Sequence, residues 1–422
     1  MRALVIGGGG REHALCWALS RSASVDAVLC APGNPGIADI ADVRDVDAED
    51  PASVVALARD VDADLVVVGP EAPLVAGVVD ALADAGITTF GPTRAAARLE
   101  GSKAFAKEVM AAAGVPTARH WHGSDPDAAI RALDDFAPPY VIKADGLAAG
   151  KGVRICADRA EAEGAIADAL VDRVFGDAGD SLVIEEHLDG PECSLFGLSD
   201  GTTVRPLTPA QDFKRALDGD EGLNTGGMGA YSPVPAVDAD VVEDLRVRVL
   251  QPVIDEMRRR GTPFVGVLYA GLALTSAGPR VIEFNARFGD PETQVVLPRL
   301  ESDLGQVLTA CAEGCLEEVG PLAFSDDACV TVVLASGGYP GPYEVGRPIT
   351  GLDVAGAMDG TVVFHAGTAR RDGQVVTAGG RVLAVSATGP GIALARARAY
   401  AAAGAIDFEG VHLRTDIAAS PT

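Results

Sequence analysis

The sequence predicts an α/β protein. A parallel sheet covered by helices on both faces fills the first hundred residues, a mixed α+β middle follows, and the chain ends β-rich. Three observations carry this expectation. Short apolar runs at 2–6, 25–30, 65–68 and 88–90 alternate with helical stretches and stop at glycine or proline, the pattern of parallel strands buried on both faces. Past about residue 100 the strands lengthen and their connections become glycine-rich. From about Cys329 apolar strands recur at 330–334, 360–365 and 381–386, followed by an Ala/Arg helix near 391–403.

Composition bounds the rest. A chain of 422 residues holds two to four domains. Its 48% hydrophobic content supplies a large core and excludes global disorder. No uncharged apolar run reaches the roughly 18 residues a membrane helix needs. The apolar start, Met1-Arg-Ala-Leu-Val-Ile6, is too short for a signal peptide and reads as a first strand. Seven cysteines without a Cys-x-x-Cys pair predict reduced thiols in the cytoplasm, with neither a disulfide frame nor a zinc site. The formal charge of −26 argues against nucleic-acid and acidic-membrane partners. Small anionic metabolites remain as ligands of a monomer or weak homo-oligomer, reached through local cations, metal ions and backbone amides.

Those cations are unevenly chosen. Arginine supplies 29 of the 34 basic residues, and the five lysines are Lys103, Lys107, Lys143, Lys151 and Lys214. Lysine is a compact point charge and arginine a planar fork. Lysine confined to one window marks places where a point charge meets a phosphate oxygen, unless the clustering is compositional. Lys107 stands one helical turn from Lys103 and has the weaker claim to a phosphate, so Lys107→Arg is expected to be nearly silent.

Motifs follow along the chain. In an open parallel sheet ligands sit at the carboxyl ends of the strands, which puts the loops 7–10, 32–36 and 69–73 on one rim. The run Gly7-Gly-Gly9-Gly10-Arg11-Glu12-His13 fails as a dinucleotide fingerprint, because Glu12 stands where the third glycine belongs. What remains is a glycine loop entering a helix N-terminus, a seat for a small phosphate ester or merely a tight turn. Tyr140-Val-Ile-Lys143-Ala-Asp-Gly-Leu-Ala-Ala-Gly150-Lys151-Gly reads as strand, flexible loop, strand. Its glycines allow close approach of a polyphosphate, as in a mobile lid over ATP; the plain alternative is a surface hairpin. Leu182-Val-Ile-Glu185-Glu186-His-Leu188 is a strand leaving a hinge, able to present backbone groups to an adenine edge, and Glu192 follows where it can hold ribose hydroxyls. Glu283 and Asn285 lie two apart on a strand and share a face. Their oxygens suit Mg²⁺ (or Mn²⁺) held alongside phosphates. The following Arg287-Phe-Gly-Asp290-Pro-Glu292-Thr-Gln294 adds a guanidinium and two carboxylates.

These residues resemble the phosphoribosylamine–glycine ligase family of the ATP-grasp superfamily. The resemblance runs from Gly10-Arg-Glu-His-Ala14 through Ala31-Pro32-Gly33-Asn34, Val68-Gly-Pro-Glu71-Ala-Pro-Leu and Leu99-Glu-Gly-Ser-Lys103-Ala-Phe. It continues in the lysine loop, Gln211-Asp212-Phe-Lys214-Arg215, Asn224-Thr-Gly-Gly-Met-Gly, the 287–294 run, Phe364-His-Ala-Gly-Thr368 and Gly379-Gly-Arg-Val-Leu383. It implies a Rossmann-like domain at 1–100, an ATP-grasp domain at 101–324 with a lid at about 120–190, and a β-rich domain at 325–422. It implies ligation of glycine to 5-phosphoribosylamine at the cost of ATP. Lys103, Lys143, Gly150 and Lys151 would then serve the ATP phosphates, Glu185, Glu186 and Leu188 the adenine, and Glu192 the ribose. Glu283 and Asn285 would bind the metal. Asp212, Arg287 and Asp290 would hold glycine and the amine, with Lys214, Asn224 and Glu292 beside them. Gly9, Gly10, Arg11, Glu12, Pro32, Gly33 and Asn34 would cradle the ribose phosphate. Another ATP-grasp carboxylate–amine ligase would share the lysine loop and the Glu-x-Asn pair, but the 287–294 run argues against it. A nucleotide-binding regulator would tolerate losing Glu283 or Lys151, and both are present.

Overall fold

The structure is a computed structural model that describes residues 1–146 and 152–421. Its first sheet forms from Arg2–Gly7 (β1), Ala27–Pro32 (β2), Asp42–Val43 (β3), Leu65–Val68 (β4) and Thr89–Phe90 (β5), all parallel, in the order β3-β2-β1-β4-β5. The apolar runs feed two layers at once. Leu4, Ile6, Val66 and Val68 enter one core, whereas Ala3, Val5, Leu65 and Val67 enter another, as the two-residue period of a strand dictates. The second strand lies two residues later than its apolar run suggested, and β3 carries no apolar run at all. The glycine loop leads into the helix Gly10–Ser20 (α1).

The middle opens with the helix Lys103–Ala113 (α2), capped by the Ser102 hydroxyl, which accepts the Phe105 N–H. A small antiparallel sheet follows from His120–Gly123 (β6), Tyr140–Ala144 (β7), Val153–Cys156 (β8) and Leu182–Glu186 (β9), in the order β6-β9-β7-β8. The helices Pro126–Ala132 and Arg159–Leu170 cover it, and Leu133, Tyr140, Ile142, Ile166, Leu182 and Ile184 form a core of its own. The described residues leave out 147–151, between β7 and β8 in sequence, so the expectations for Gly150 and Lys151 fall outside them.

The chain then runs through Glu192–Asp200 (β10), Val204–Pro206 (β11), Gln211–Asp212 (β12), the hairpin Arg215–Leu217 (β13) and Glu221–Asn224 (β14), Gly229–Ser232 (β15), Val265–Thr275 (β16) and Gly278–Asn285 (β17). Ala328–Ala335 (β18), Thr361–His365 (β19), Thr368–Arg371 (β20), Gln374–Thr377 (β21), Arg381–Gly389 (β22) and the helix Ile392–Ala403 complete it. Two larger sheets result, β11-β10-β16-β17 and β12-β15-β18-β22-β19. The second joins strands from the middle and from the end of the chain across position 325. The hairpin of β20 and β21 had no sequence signal in the expectation. Among the described residues no helix is long and apolar enough to cross a membrane. All seven cysteines are free.

Arg414 shows how the chain end is fastened. It is 1% exposed. It donates to Asp416 (2.8 and 2.7 Å), to Asp220 (3.2 Å) and to the Arg215 carbonyl (3.0 Å), and lies over the Phe213 ring at 5.1 Å. It thereby pins the β13–β14 hairpin. Arg414→Met keeps the stem but strands these acceptors, and is expected to lower the unfolding free energy by about 2 kcal/mol. Urea denaturation of parent and variant measures this.

Candidate active site

The three loops of the N-terminal rim do meet. The Gly33 N–H donates to the Gly7 carbonyl (3.1 Å), the Gly69 N–H to that of Ile6 (3.0 Å), and Asn34 Nδ2 to that of Gly8 (2.9 Å). Glycine is required at position 7. Its φ is +128°, and an added Cβ would lie 2.6 Å from Glu12 Cγ. Glu12 accepts the Gly9 N–H at 2.7 Å and pairs with Arg11 Nε at 2.5 Å. Asn34 also donates to the His365 carbonyl (2.8 Å) and accepts the N–H groups of Gly36 and Ile37. The side chains of Glu12 and Asn34 thus shape the loops that the sequence assigned to the ribose phosphate. Arg11 is likewise drawn inward, donating to the Phe288 carbonyl (3.1 Å). Pro32 is exposed and Gly33 half-buried, whereas Gly9 and Gly10 bring their backbone close to Asp290.

The 287–294 run faces this loop. Arg287 lies between Glu71 (3.5 Å) and Glu100 (3.2 Å). Burial opposes its charge, but the two carboxylates more than compensate and raise its pKa. Asp290 accepts from Gln294 Nε2 (2.8 Å) and pairs with Arg381 (3.4 Å). Burial works against ionisation there, yet Arg381 and Arg11 hold its carboxyl below the ordinary value. Arg381 also donates to the carbonyls of Asp290 (2.7 Å), Gly226 (2.6 Å) and Gly227 (3.3 Å). Sequence reasoning quoted Arg381, Glu71 and Glu100 inside motifs but gave them no role. Only their charge in otherwise small-residue runs signals one.

A second group surrounds Lys214. Its ammonium touches Asp212 (2.6 Å) and Glu192 (2.9 Å). Burial pushes Asp212 up to about 6, while Lys214 holds Glu192 low. Glu292 is buried and accepts from Tyr269 Oη (2.5 Å) and Ser194 Oγ (3.3 Å). It therefore braces Tyr269 from within. Asn224 is exposed at the end of β14, two residues before the loop that Arg381 grips.

The lysines converge on a third group, between the small sheet and β17. Lys103 donates to the Gly146 carbonyl (3.2 Å). Burial lowers its pKa against the attraction of Glu283. Lys143 is 3.0 Å from Glu185 and donates to the Ile282 carbonyl (3.1 Å). Lys107 is 3.1 Å from the other Glu185 oxygen and donates to Thr117 Oγ1 (2.8 Å). Burial pushes Lys107 down to about 8 despite Glu185. Lys107, Glu185 and Glu186 make contacts that the sequence did not announce. Lys107 is 2% exposed; helical spacing says nothing of which face is buried, and Lys107→Arg is now expected to overfill a closed corner. The Glu185 carboxylate serves two lysines, and its backbone lies inside the sheet, between β6 and β7. The Glu186 N–H is spent on the Arg119 carbonyl, and its carboxylate on Arg119 and Arg280. Leu188 lies just past β9, where among the described residues its N–H and carbonyl have no hydrogen-bond partner.

Glu283 and Asn285 sit half-exposed on β17 with Phe284 turned into the core between them. Neither side chain is hydrogen-bonded among the described residues. Among the described residues no group of three or more His, Cys, Asp or Glu gathers to hold a metal ion. Two free oxygens beside Lys103 fit a hard cation that takes its remaining ligands from phosphates.

Two sheets that meet at clustered lysines, with an oxygen pair on β17, are the arrangement of an ATP-grasp ligase. Residues 101–293 match Phosphoribosylglycinamide synthetase, ATP-grasp (A) domain; residues 1–100 and 329–420 match its N and C domains. The chain is 60% identical over 421 residues to a phosphoribosylamine–glycine ligase of Streptomyces coelicolor, covering 99% of each. The crystal structure of phosphoribosylamine–glycine ligase from Thermotoga maritima is similar with a TM-score of 0.85 at 33% identity, over 99% of this chain and 100% of that one. The biotin carboxylase domain of Hydrogenobacter thermophilus 2-oxoglutarate carboxylase, solved with MgADP, is similar with a TM-score of 0.72 over 98% and 91% of the two chains. At 19% identity that likeness shows the fold alone. The chain belongs to the phosphoribosylamine–glycine ligase family, an ATP-grasp ligase family that implies use of ATP with a divalent metal.

The contact between the chain's two ends titrates. His13 Nδ1 accepts the His365 N–H at 2.8 Å. Burial, with His365 adding to it, pushes His13 down to about 3; burial pushes His365 down to about 4. An unfolded histidine takes a proton near pH 6.5, while these stay neutral in the fold. Stability is therefore full above about pH 6.5 and falls as pH drops through 6.5 toward the folded values. His13→Gln removes one of these protons. Between pH 6 and 4.5 its unfolding free energy is expected to fall less steeply than the parent's, by up to about 1.4 kcal/mol per pH unit. Urea melts at several pH values measure the two slopes.

Proposed function

We propose that this chain joins glycine to 5-phosphoribosylamine, forming glycinamide ribonucleotide, ADP and phosphate, a step of de novo purine biosynthesis. The end-to-end identity of 60% to the Streptomyces coelicolor ligase carries the reading. The site's chemistry supports it. A carboxylate is a poor electrophile. Transfer of the ATP γ-phosphoryl group to a glycine oxygen makes glycyl phosphate and releases ADP. The amine of phosphoribosylamine then attacks the acyl carbon, phosphate leaves, and the amine loses its proton. Such transfer rests on positioning and on neutralising charge.

Lys103, Lys143 and Lys151 meet the ATP phosphates in this reading. The unpaired backbone of Leu188 meets the adenine edge, and Glu192 the ribose. Glu283 and Asn285 hold Mg²⁺ (or Mn²⁺), which when bound neutralises charge on the phosphates. Asp212, Lys214, Arg287, Asp290 and Asn224 orient glycine and the amine. The loops at 9–12 and 32–34 receive the ribose phosphate. The domain limits in this reading are 1–100 for the ribose phosphate, 101–324 with a lid at 120–190 for ATP, and 325–422 closing the rim.

ADP release is expected to require glycine and phosphoribosylamine together. Full turnover with either one omitted sinks the substrate assignment. Glu283→Gln keeps shape but loses the charge that fixes the metal, so turnover is expected to fall by on the order of 10². Near-parental turnover of that variant at limiting Mg²⁺ refutes its role. Lys143→Arg retains charge, yet misplacing it by about 1 Å is expected to cost ~10² in turnover. A kinetic titration of ATP on that variant measures this.

A further inference from the structure

We propose that Lys107 is a positioning residue of the nucleotide site: it is the resident counter-ion of Glu185, and so leaves Lys143 free to move onto phosphate. The inference rests on the proposed ATP site but assigns Lys107 a part that site does not include.

The geometry is a carboxylate shared by two ammonium groups. Glu185 is 3% exposed, as is Lys143, and Lys107 is 2% exposed. Lys143 holds Oε2 at 3.0 Å and Lys107 holds Oε1 at 3.1 Å. Oε1 has no hydrogen-bond partner among the described residues, so Lys107 meets it through charge rather than an aligned hydrogen bond. The two lysines are anchored differently. Lys107 is tied on a second side to Thr117 Oγ1 (2.8 Å), which itself donates to the Val281 carbonyl (2.6 Å). It rises from the middle of α2, inside the helix–strand contact. Lys143 is the penultimate residue of β7. Its other bond goes to the Ile282 carbonyl, one residue before Glu283.

These anchors differ in what they permit. A buried carboxylate stripped of its only partner is strongly destabilising. Were Lys143 the sole partner of Glu185, its movement toward a phosphate would leave that bare charge behind, and nucleotide binding would bear the cost. With Lys107 in place the carboxylate keeps a cation throughout, and the spare positive charge goes to the nucleotide. A point charge with three rotatable donors suits this packed corner, where the five fixed donors of a guanidinium would lack acceptors.

The test is a double-mutant cycle on the full chain, reading ATP KM and kcat separately. The variants are Lys107→Met, Glu185→Gln and the double. Lys107→Met is expected to raise the ATP KM about tenfold or more in the parent background, with glycine and phosphoribosylamine KM unchanged. In the Glu185→Gln background, where no carboxylate needs a counter-ion, the same change is expected to alter the ATP KM less than about twofold. An equal penalty in both backgrounds overturns the proposal, because Lys107 would then meet the nucleotide itself. A parental ATP KM in Lys107→Met also overturns it. If Lys107→Met does not fold, the comparison of Glu185→Gln with the double variant decides: a raised ATP KM on removing Lys107 there overturns the inference, and an unchanged one supports it. Lys143→Met separates the two readings. Loss of ATP dependence there with no effect of Lys107→Met removes this inference alone, whereas parental ATP kinetics in Lys143→Met removes the ATP-site assignment.

Discussion

Main-chain pairing of β15 with β18 is the constraint on which the site depends. That register, Gly229 opposite Val332 through Ser232 opposite Cys329, stitches the middle of the chain to its end. Everything beyond it follows in the same sheet. β12 lies on one side of β15 and carries Asp212, with Lys214 two residues on. β22 lies beyond β18 and begins at Arg381; β19 is outermost and ends at His365. Because sheet spacing is fixed, Arg381 reaches Asp290 and the 226–227 carbonyls, and His365 reaches Asn34 and His13. The β-rich end is therefore a wall of the rim formed by the N-terminal loops.

That wall explains why side chains expected on the substrate face inward. Asn34 bridges the carbonyls of Gly8 and His365, which fixes the glycine loop against the chain's end. Glu12 closes the first turn of α1 and neutralises Arg11. Both build the shape of the glycine loop in a protein that carries −26 net charge. Backbone donors bring positive potential without adding a side chain that the acidic surroundings would claim.

How much was legible follows from how local each signal was. β1, β2, β4 and β5 announced themselves as apolar runs ending in glycine or proline, because burial on both faces leaves no polar alternation. β3 is two residues long and includes an aspartate, so nothing local marks it. Glu283 and Asn285 were readable because two-residue spacing fixes a shared face. The side-chain part of Glu185 was not. Its partners come from α2 and β7, and a strand-end glutamate reads alike whether it meets solvent or two lysines. Arg381 was quoted within a motif and left without a role for the same reason, since its partners lie 91 and 155 residues away.

The division of labour between lysine and arginine has a structural basis. Arginines dominate the exposed pairs, such as Arg159 with Asp134 and Glu163, Arg246 with Glu243, and Arg248 with Asp244. There the fork finds carboxylates at little desolvation cost. The described lysines all stand in the clefts: Lys103 at the Gly146 carbonyl, Lys107 and Lys143 on Glu185, Lys214 between Asp212 and Glu192. A guanidinium brings five donors in a fixed plane, and in a closed corner each donor without an acceptor is a desolvation penalty. An ammonium turns its three donors toward whatever oxygens are present and can exchange one for a phosphate. Buried arginines such as Arg414 occur where several carboxylate and carbonyl oxygens meet the fork; the lysines stand where fewer acceptors are at hand.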